Sequence, residues 1–169
     1  MKKKSLMALA AMAFVFGLSS CGDNDEPPVP VTPLADQVVG TYSGTEILTV
    51  DGEEDESTQS IDITRSSELT VDFALPAYGE GMMTIPALPL KNIVLEKDND
   101  GVIAGTFPTG SYTGTVTNSK GEEKTFVVSD FMLLYSPTEK NLMITFKLKY
   151  GNMPFDFDGV FYGKRSVLN

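Results

Sequence analysis

Leu142-Met143-Ile144-Thr145-Phe146-Lys147-Leu148-Lys149-Tyr150 is the stretch on which the fold class turns. Leu142, Ile144, Phe146, Leu148 and Tyr150 alternate with Met143, Thr145, Lys147 and Lys149. A period of two sends successive side chains to opposite faces of a strand, whereas a helix would scatter these apolar residues around its circumference. One apolar and one polar face is what an antiparallel strand packed on a core requires. The alternation recurs in Ile61 and Ile63 around Asp62, and in Leu69, Val71, Phe73 and Leu75 around Thr70, Asp72 and Ala74. It recurs again in Phe155 and Phe157, set against Asp156 and Asp158. Beyond residue 36 no helical apolar stripe of about ten residues is found.

Turn residues divide these runs. Asp51-Gly52 with Glu53, Glu54, Asp55 and Glu56 reads as a charged hairpin loop, and Asp98-Asn99-Asp100-Gly101 as a tight turn. Asn118-Ser119-Lys120-Gly121 and Gly151-Asn152 are further turns. Strands are expected over 40–50, 58–65, 68–75, 82–96, 102–107, 111–117, 124–135, 141–150 and 154–163. Thr125–Tyr135 is apolar on both faces, as for a central strand or one whose outer face is covered. Ile85–Leu90 carries two prolines, which lack a ladder donor, so it is expected as a crossing loop, an edge or a barrel-mouth segment. Short strands at this spacing predict an all-β chain, either a sandwich or a single antiparallel up-and-down β-barrel of about eight strands.

One hexapeptide has an echo. Gly40-Thr41-Tyr42-Ser43-Gly44-Thr45 matches Gly110-Ser111-Tyr112-Thr113-Gly114-Thr115, and each opens an expected strand. Glycines flanking a tyrosine let the backbone bend or approach a neighbour while the ring packs under a barrel end. Together with Leu88-Pro89-Leu90-Lys91-Asn92-Ile93-Val94-Leu95 and Phe157-Asp158-Gly159-Val160-Phe161-Tyr162-Gly163, the first hexapeptide resembles the calycin-like β-barrel domains of Bacteroides-type lipoproteins. Gly40-Thr41-Tyr42 also resembles the Gly-x-Trp start of lipocalins, with Tyr in place of Trp. The resemblance covers most of residues 36–165 and implies an eight-stranded antiparallel barrel. It supplies no catalytic residue, because the family's own function is largely unassigned.

The N-terminus reads as an address. Lys2, Lys3 and Lys4 precede an apolar or small run from Ser5 to Leu18, the length of a signal-peptide core and too short to span a bilayer. Leu18-Ser19-Ser20-Cys21-Gly22 resembles the bacterial lipobox, in which cleavage occurs before a lipidated cysteine. Residues 1–20 are therefore expected as a lipoprotein signal peptide and Cys21 as the lipidation site. Cleavage would remove twenty residues, three of them lysines and none acidic, leaving 149 residues with a formal charge of −13. Residues 21–35 are expected as a lipidated linker, and residues 36–169 as the barrel. The linker carries Asp23, Asp25 and Glu26, then Pro27, Pro28, Pro30 and Pro33, which favour an extended spacer. An acidic cluster just after the cysteine resembles the surface-export signal of Bacteroides-type lipoproteins. The expected location is the outer membrane of a bacterial cell envelope, exposed at the surface, with the membrane as partner through the lipid on Cys21.

Composition excludes several chemistries. The full chain has 13 Lys+Arg, 23 Asp+Glu, no His, no Trp and one Cys. Without histidine there is no Ser-His-Asp triad, no Cys-His dyad and no His-ligated metal. A formal charge of −10 opposes binding to nucleic acid phosphates. Asp98-x-Asp100-Gly101 lacks the Glu a calcium loop needs at its twelfth position, where Thr109 stands. Asp156 and Asp158 have roughly the ~7 Å spacing of an inverting glycosidase pair but fall on a polar face, where nothing raises a pKa. No catalytic residue, cofactor or metal site is expected. An eight-stranded barrel is either filled by side chains or holds one small ligand. Candidate pocket residues for a small apolar ligand are Tyr42, Phe73, Tyr78, Phe107, Phe146 and Phe157, within an interior set that also includes Leu69 and Phe155. The same residues fit a solid core, in a protein that engages an envelope protein or extracellular polymer through its loops. Met82, Met83 and Tyr78 read either as a lid over a barrel mouth or as loop residues tucked onto the core.

Overall fold

A computed structural model describes residues 31–79 and 84–166. The signal peptide, Cys21, the acidic cluster, Pro27, Pro28, Pro30, Met82 and Met83 lie outside the described residues. Helix α1 (Leu34–Val38) leads into nine strands: β1 (Gly40–Val50), β2 (Glu53–Arg65), β3 (Thr70–Leu75), β4 (Leu88–Lys97), β5 (Ile103–Thr106), β6 (Ser111–Thr117), β7 (Glu123–Ser136), β8 (Asn141–Tyr150) and β9 (Phe157–Arg165). All pairings are antiparallel, and β9 returns to pair with β1 along Tyr42–Val50. The result is a closed eight-stranded barrel with one extra strand.

The extra strand is a matter of continuity. β5 pairs with Leu133–Tyr135 of β7, and β6 pairs with Glu123–Ser129 of the same strand. The two therefore lie end to end along one edge of β7. Phe107-Pro108-Thr109-Gly110 interrupts them, with the Gly110 amide donating to the Phe107 carbonyl at 2.9 Å. Every stave neighbours its successor in sequence, so the up-and-down order expected from the sequence is present.

Several local features depart from the sequence expectations or sharpen them. The acidic run Glu53–Glu56 is strand, not loop. Asp51 and Gly52, at φ 52° and 84°, make a two-residue turn that sets Val50 opposite Glu53. Thr125–Tyr135 is apolar on both faces because a bulge at Asp130 (φ 49°) reverses the inward parity. Phe126 and Val128 point inward before it, and Phe131, Leu133 and Tyr135 after it. Asn92 (φ 58°) does the same in β4, between Leu88 and Leu90 on one side and Ile93 and Leu95 on the other. Leu88–Leu90 is strand despite Pro89. β5 reaches only Val94–Lys97, so at Pro89 the ladder runs to β3 alone. Leu69, expected inside, is 53% exposed in the β2–β3 turn, and Phe155 is half-buried.

One barrel end is closed. α1 lies across it with Ala35 and Val38 fully buried, and the Ala35 amide donates to the Glu68 carbonyl at 3.1 Å. Tyr42 donates its hydroxyl to the Val38 carbonyl at 2.5 Å and meets Tyr135 edge-on. Arg165 reaches the Gln37 carbonyl, and Arg65 grips the Asp36 carboxylate with both oxygens at 2.9 and 3.0 Å. The apolar side chains point inward. Asp62, Lys147, Lys149 and Asp158 point outward, with Lys147 bridging Asp130 and Asp158. That is the reverse of a membrane-spanning barrel, whose lipid-facing side is apolar.

The midsection is packed by rings that lie on glycines. Phe146 stands opposite Gly159, and Phe126 opposite Gly114. A Cβ at Gly159 would sit 2.1 Å from the Phe146 ring, and one at Gly114 would sit 2.6 Å from the Phe126 ring. Gly159→Ala is therefore expected to destabilise the barrel by about 1–3 kcal/mol, the cost of overpacking a full core. Phe146→Leu in the same chain should return part of that loss. Urea denaturation of the single and double variants checks this, and a Gly159→Ala midpoint equal to wild type would remove the argument.

Candidate ligand site at the barrel mouth

The open end is built from the β1–β2 turn, the β3–β4 connection (residues 76–87), the β6–β7 turn and the β8–β9 connection (residues 151–156). The β3–β4 connection folds inward. Tyr78 and Ile85 exchange backbone hydrogen bonds at 2.9 and 2.8 Å, and both side chains are buried. On its β3 side, β2 has no ladder partner over Glu53–Ile63. β2 and β3 pair only through Thr64–Arg65 and Val71–Asp72, so the wall parts above that point.

Glu46 lies inside this parting. It is 1% exposed and is the only buried charged residue among the described residues. β1 places it on the inward face with Tyr42, Gly44 and Leu48, opposite Ser57 of β2 on one side and Phe161 of β9 on the other. Its carboxylate accepts the Tyr78 hydroxyl at 2.9 Å. Burial raises the Glu46 pKa above the ordinary carboxylate value, and the Tyr78 hydrogen bond partly opposes the rise. Tyr78 is raised as well, first by burial and then by the neighbouring Glu46 charge. No Lys or Arg among the described residues lies within ion-pair distance of Glu46.

Two adjoining clefts open onto this pair. One, of about 260 Å³, is walled by Leu48, Val50, Ile85, Met153, Phe155 and Phe157, with Tyr78 and Asp55 at its border. The other, of about 340 Å³, is of mixed character and runs along Glu46, Asp55, Ser57, Gln59 and Tyr78, with Leu48 and Ala77 beside them. Leu48, Asp55, Tyr78 and Gly79 are common to both. The outer rim, with Asp51, Glu53 and Glu54, is acidic. A wider depression of about 590 Å³ lies beside it along Lys124, Tyr150 and Met153. The mouth therefore combines an apolar wall, a buried carboxyl and a negative rim.

The expected pocket residues divide between mouth and core. Tyr78 and Phe157 are together at the mouth. Tyr42 belongs to the closed end. Phe73 and Phe107 both stack on Phe131, at centroid distances of 6.1 and 4.6 Å, and Phe146 packs on Gly159 in the midsection. Tyr112, the echo of Tyr42, stacks on Phe107 and Phe126 in the wall rather than under a barrel end. Glu46 was missed, although the alternation Tyr42-x-Gly44-x-Glu46-x-Leu48 puts a carboxyl on an apolar face. Asp98 spends one carboxylate oxygen on the Asp100 and Val102 amides, as a turn residue does, and no cluster of three metal-ligating side chains occurs among the described residues.

No family model matches the chain, and no curated protein matches it. Among solved structures, one from Bacteroides fragilis, of a protein whose outer-membrane assignment is itself provisional, shares the fold. Its TM-score is 0.62 at 20% identity, over 80% of this chain and 54% of that one. This chain thus spans about half the length of that structure. The likeness is one of fold, and it leaves the calycin-like resemblance resting on the residues that carry it.

The raised pKa gives a test. Folded Glu46 holds its proton to higher pH than in the unfolded chain, so its contribution to stability is full below the ordinary carboxylate value. That contribution is lost as pH rises through the raised one. Glu46→Gln cannot ionise and keeps an acceptor for Tyr78. The stability of wild type relative to this variant is expected to fall as pH rises from the ordinary carboxylate range through the raised Glu46 pKa. Urea titrations at each pH measure it; a difference that stays flat or grows with pH contradicts the burial argument.

Proposed function

We propose that this protein is a non-enzymatic lipoprotein of the bacterial outer membrane, surface-exposed, whose barrel binds a small, largely apolar ligand at its mouth. The observation that carries the ligand reading is the apolar cleft of about 260 Å³ between Leu48, Ile85, Met153 and Phe157, above a midsection that aromatic rings fill. A ligand site placed at the mouth rather than in the lumen reconciles a packed core with an open end. The anchoring part rests on the lipobox resemblance at Cys21, and the polar outer face supports lipid rather than strands as the attachment. The fold shared with the Bacteroides fragilis protein agrees with an envelope location. Val31–Pro33 lead into α1 at the closed end of the barrel.

Two experiments follow. In a bacterial host that processes lipoproteins, the wild-type chain is expected in the membrane fraction and Cys21→Ser in the soluble fraction. Protease added to intact cells should cut the wild-type domain; membrane retention of Cys21→Ser refutes the anchor, and protection from protease refutes the surface location. For the ligand, octanol titrated into the folded domain should shift the methyl resonances of Leu48, Ile85 and Met153 while leaving those of Val71 and Leu133 in place. Leu48→Trp, which fills the cleft, should abolish the shifts. Uniform shifts, or none, favour instead a solid barrel that engages a protein or polymer through its loops.

A further inference from the structure

The mouth holds a carboxyl group in an environment that carboxyl groups rarely occupy. Glutamate is almost never fully buried unless it is paired, because removing its charge from water costs several kcal/mol. Glu46 is 1% exposed, with a tyrosine hydroxyl on one oxygen and no cationic partner among the described residues. A single neutral hydrogen bond does not balance a buried negative charge. Around it stand Ser57 and Gln59, which are polar and uncharged, and Gln59 donates to the Ser57 hydroxyl at 3.1 Å.

The surroundings limit what can complete the pair. Asp51, Glu53, Glu54, Asp55 and Glu56 crowd the same hairpin, so the field at the entrance repels anions and concentrates cations. An inorganic divalent ion would need more oxygen or nitrogen ligands than the mouth supplies, and no three such side chains converge among the described residues. The adjoining apolar cleft has no use for a bare ion, since its walls are Leu48, Val50, Ile85, Met153, Phe155 and Phe157. A ligand matched to both clefts has an apolar body and a cationic head. The two clefts share Leu48, Asp55, Tyr78 and Gly79, so they adjoin and the body and head of one molecule can lie in neighbouring clefts.

We propose that the mouth selects amphipathic amines, with the alkyl or small-ring body against Leu48, Ile85, Met153 and Phe157 and the ammonium group on the Glu46 carboxylate, beside the Tyr78 hydroxyl. Gln59 and Ser57 offer neutral oxygens to the remaining ammonium protons. The inference rests on the ligand-binding reading above and adds the head group. Fatty acids, the other common amphiphiles of this size, carry the wrong sign for both Glu46 and the rim.

The test is a calorimetric series with three probes of equal chain length: octylamine, octanol and octanoate, titrated at neutral pH into the folded domain. Octylamine is expected to bind about tenfold or more tightly than octanol, as befits one charge-assisted hydrogen bond, and octanoate the most weakly. Glu46→Gln should bring the octylamine-to-octanol ratio close to one. Raised salt should weaken octylamine more than octanol. Octanol and octanoate binding as tightly as octylamine overturns the amine proposal while leaving the ligand site standing. Failure of all three to bind overturns both. The wild-type series decides the matter even where Glu46→Gln folds poorly, and Tyr78→Phe, which leaves the carboxyl in place, should keep the preference for octylamine.

Discussion

The structure depends on how little room an eight-stranded barrel leaves inside itself. Such a barrel is just wide enough for side chains to fill it, and rings fit only where the facing strand gives way. Gly159 gives way to Phe146 and Gly114 to Phe126, each directly across a strand pair. The glycines cost chain entropy in a strand, and the rings on them restore apolar burial at the same spot. A Cβ at either glycine would have to occupy the volume of a ring that is itself buried. The filled midsection follows, and so does the placement of any cavity at an end.

The two ends have solved the same problem differently. At one, α1 covers the opening, and its polar backbone is met by Tyr42, Arg165 and the Glu68 carbonyl. At the other, β2 runs past its pairing with β3, and the inward-folded Tyr78–Ile85 neck only partly fills the parting. The buried carboxyl lies on this second side. At the mouth it has a tyrosine and an uncovered flank.

Much of this barrel was legible in the sequence, and what was not has a physical cause. Strands β3 and β8 and the inner end of β2 were readable because a period of two survives wherever the pleat is regular. β7 was readable as a strand but not as a surface, since Asp130 adopts a left-handed conformation and reverses which residues face inward. Nothing in Val127-Val128-Ser129-Asp130-Phe131 marks that reversal, because the residues on either side are apolar in both parities. Asn92 is the same case in β4. The acidic run after Asp51-Gly52 looked like a loop because charge was taken as a sign of irregular structure. It is a strand whose outer end projects beyond the core and faces water on both sides.

The site was legible only in halves, and the reason bears on how such a mouth can work. Glu46 was missed, although β1 puts its carboxyl on an apolar face. Tyr78 and Phe157 were visible as aromatics suited to a pocket. What joins them is the pairing of Tyr78 with Ile85 at the barrel mouth, which brings Tyr78 to a residue 32 positions earlier in the chain. No local pattern encodes that pairing, because it is made by one pair of backbone hydrogen bonds and the burial of Ile85. The same feature divides labour at the mouth. The strands fix Glu46, Ser57 and Gln59 to a rigid wall, while the β3–β4 connection supplies the hydroxyl. The apolar part of a proposed ligand would then meet residues of two connections and of strands β1 and β9. Discrimination of its head group resides in a single strand residue, whose buried charge the fold leaves without a cation of its own.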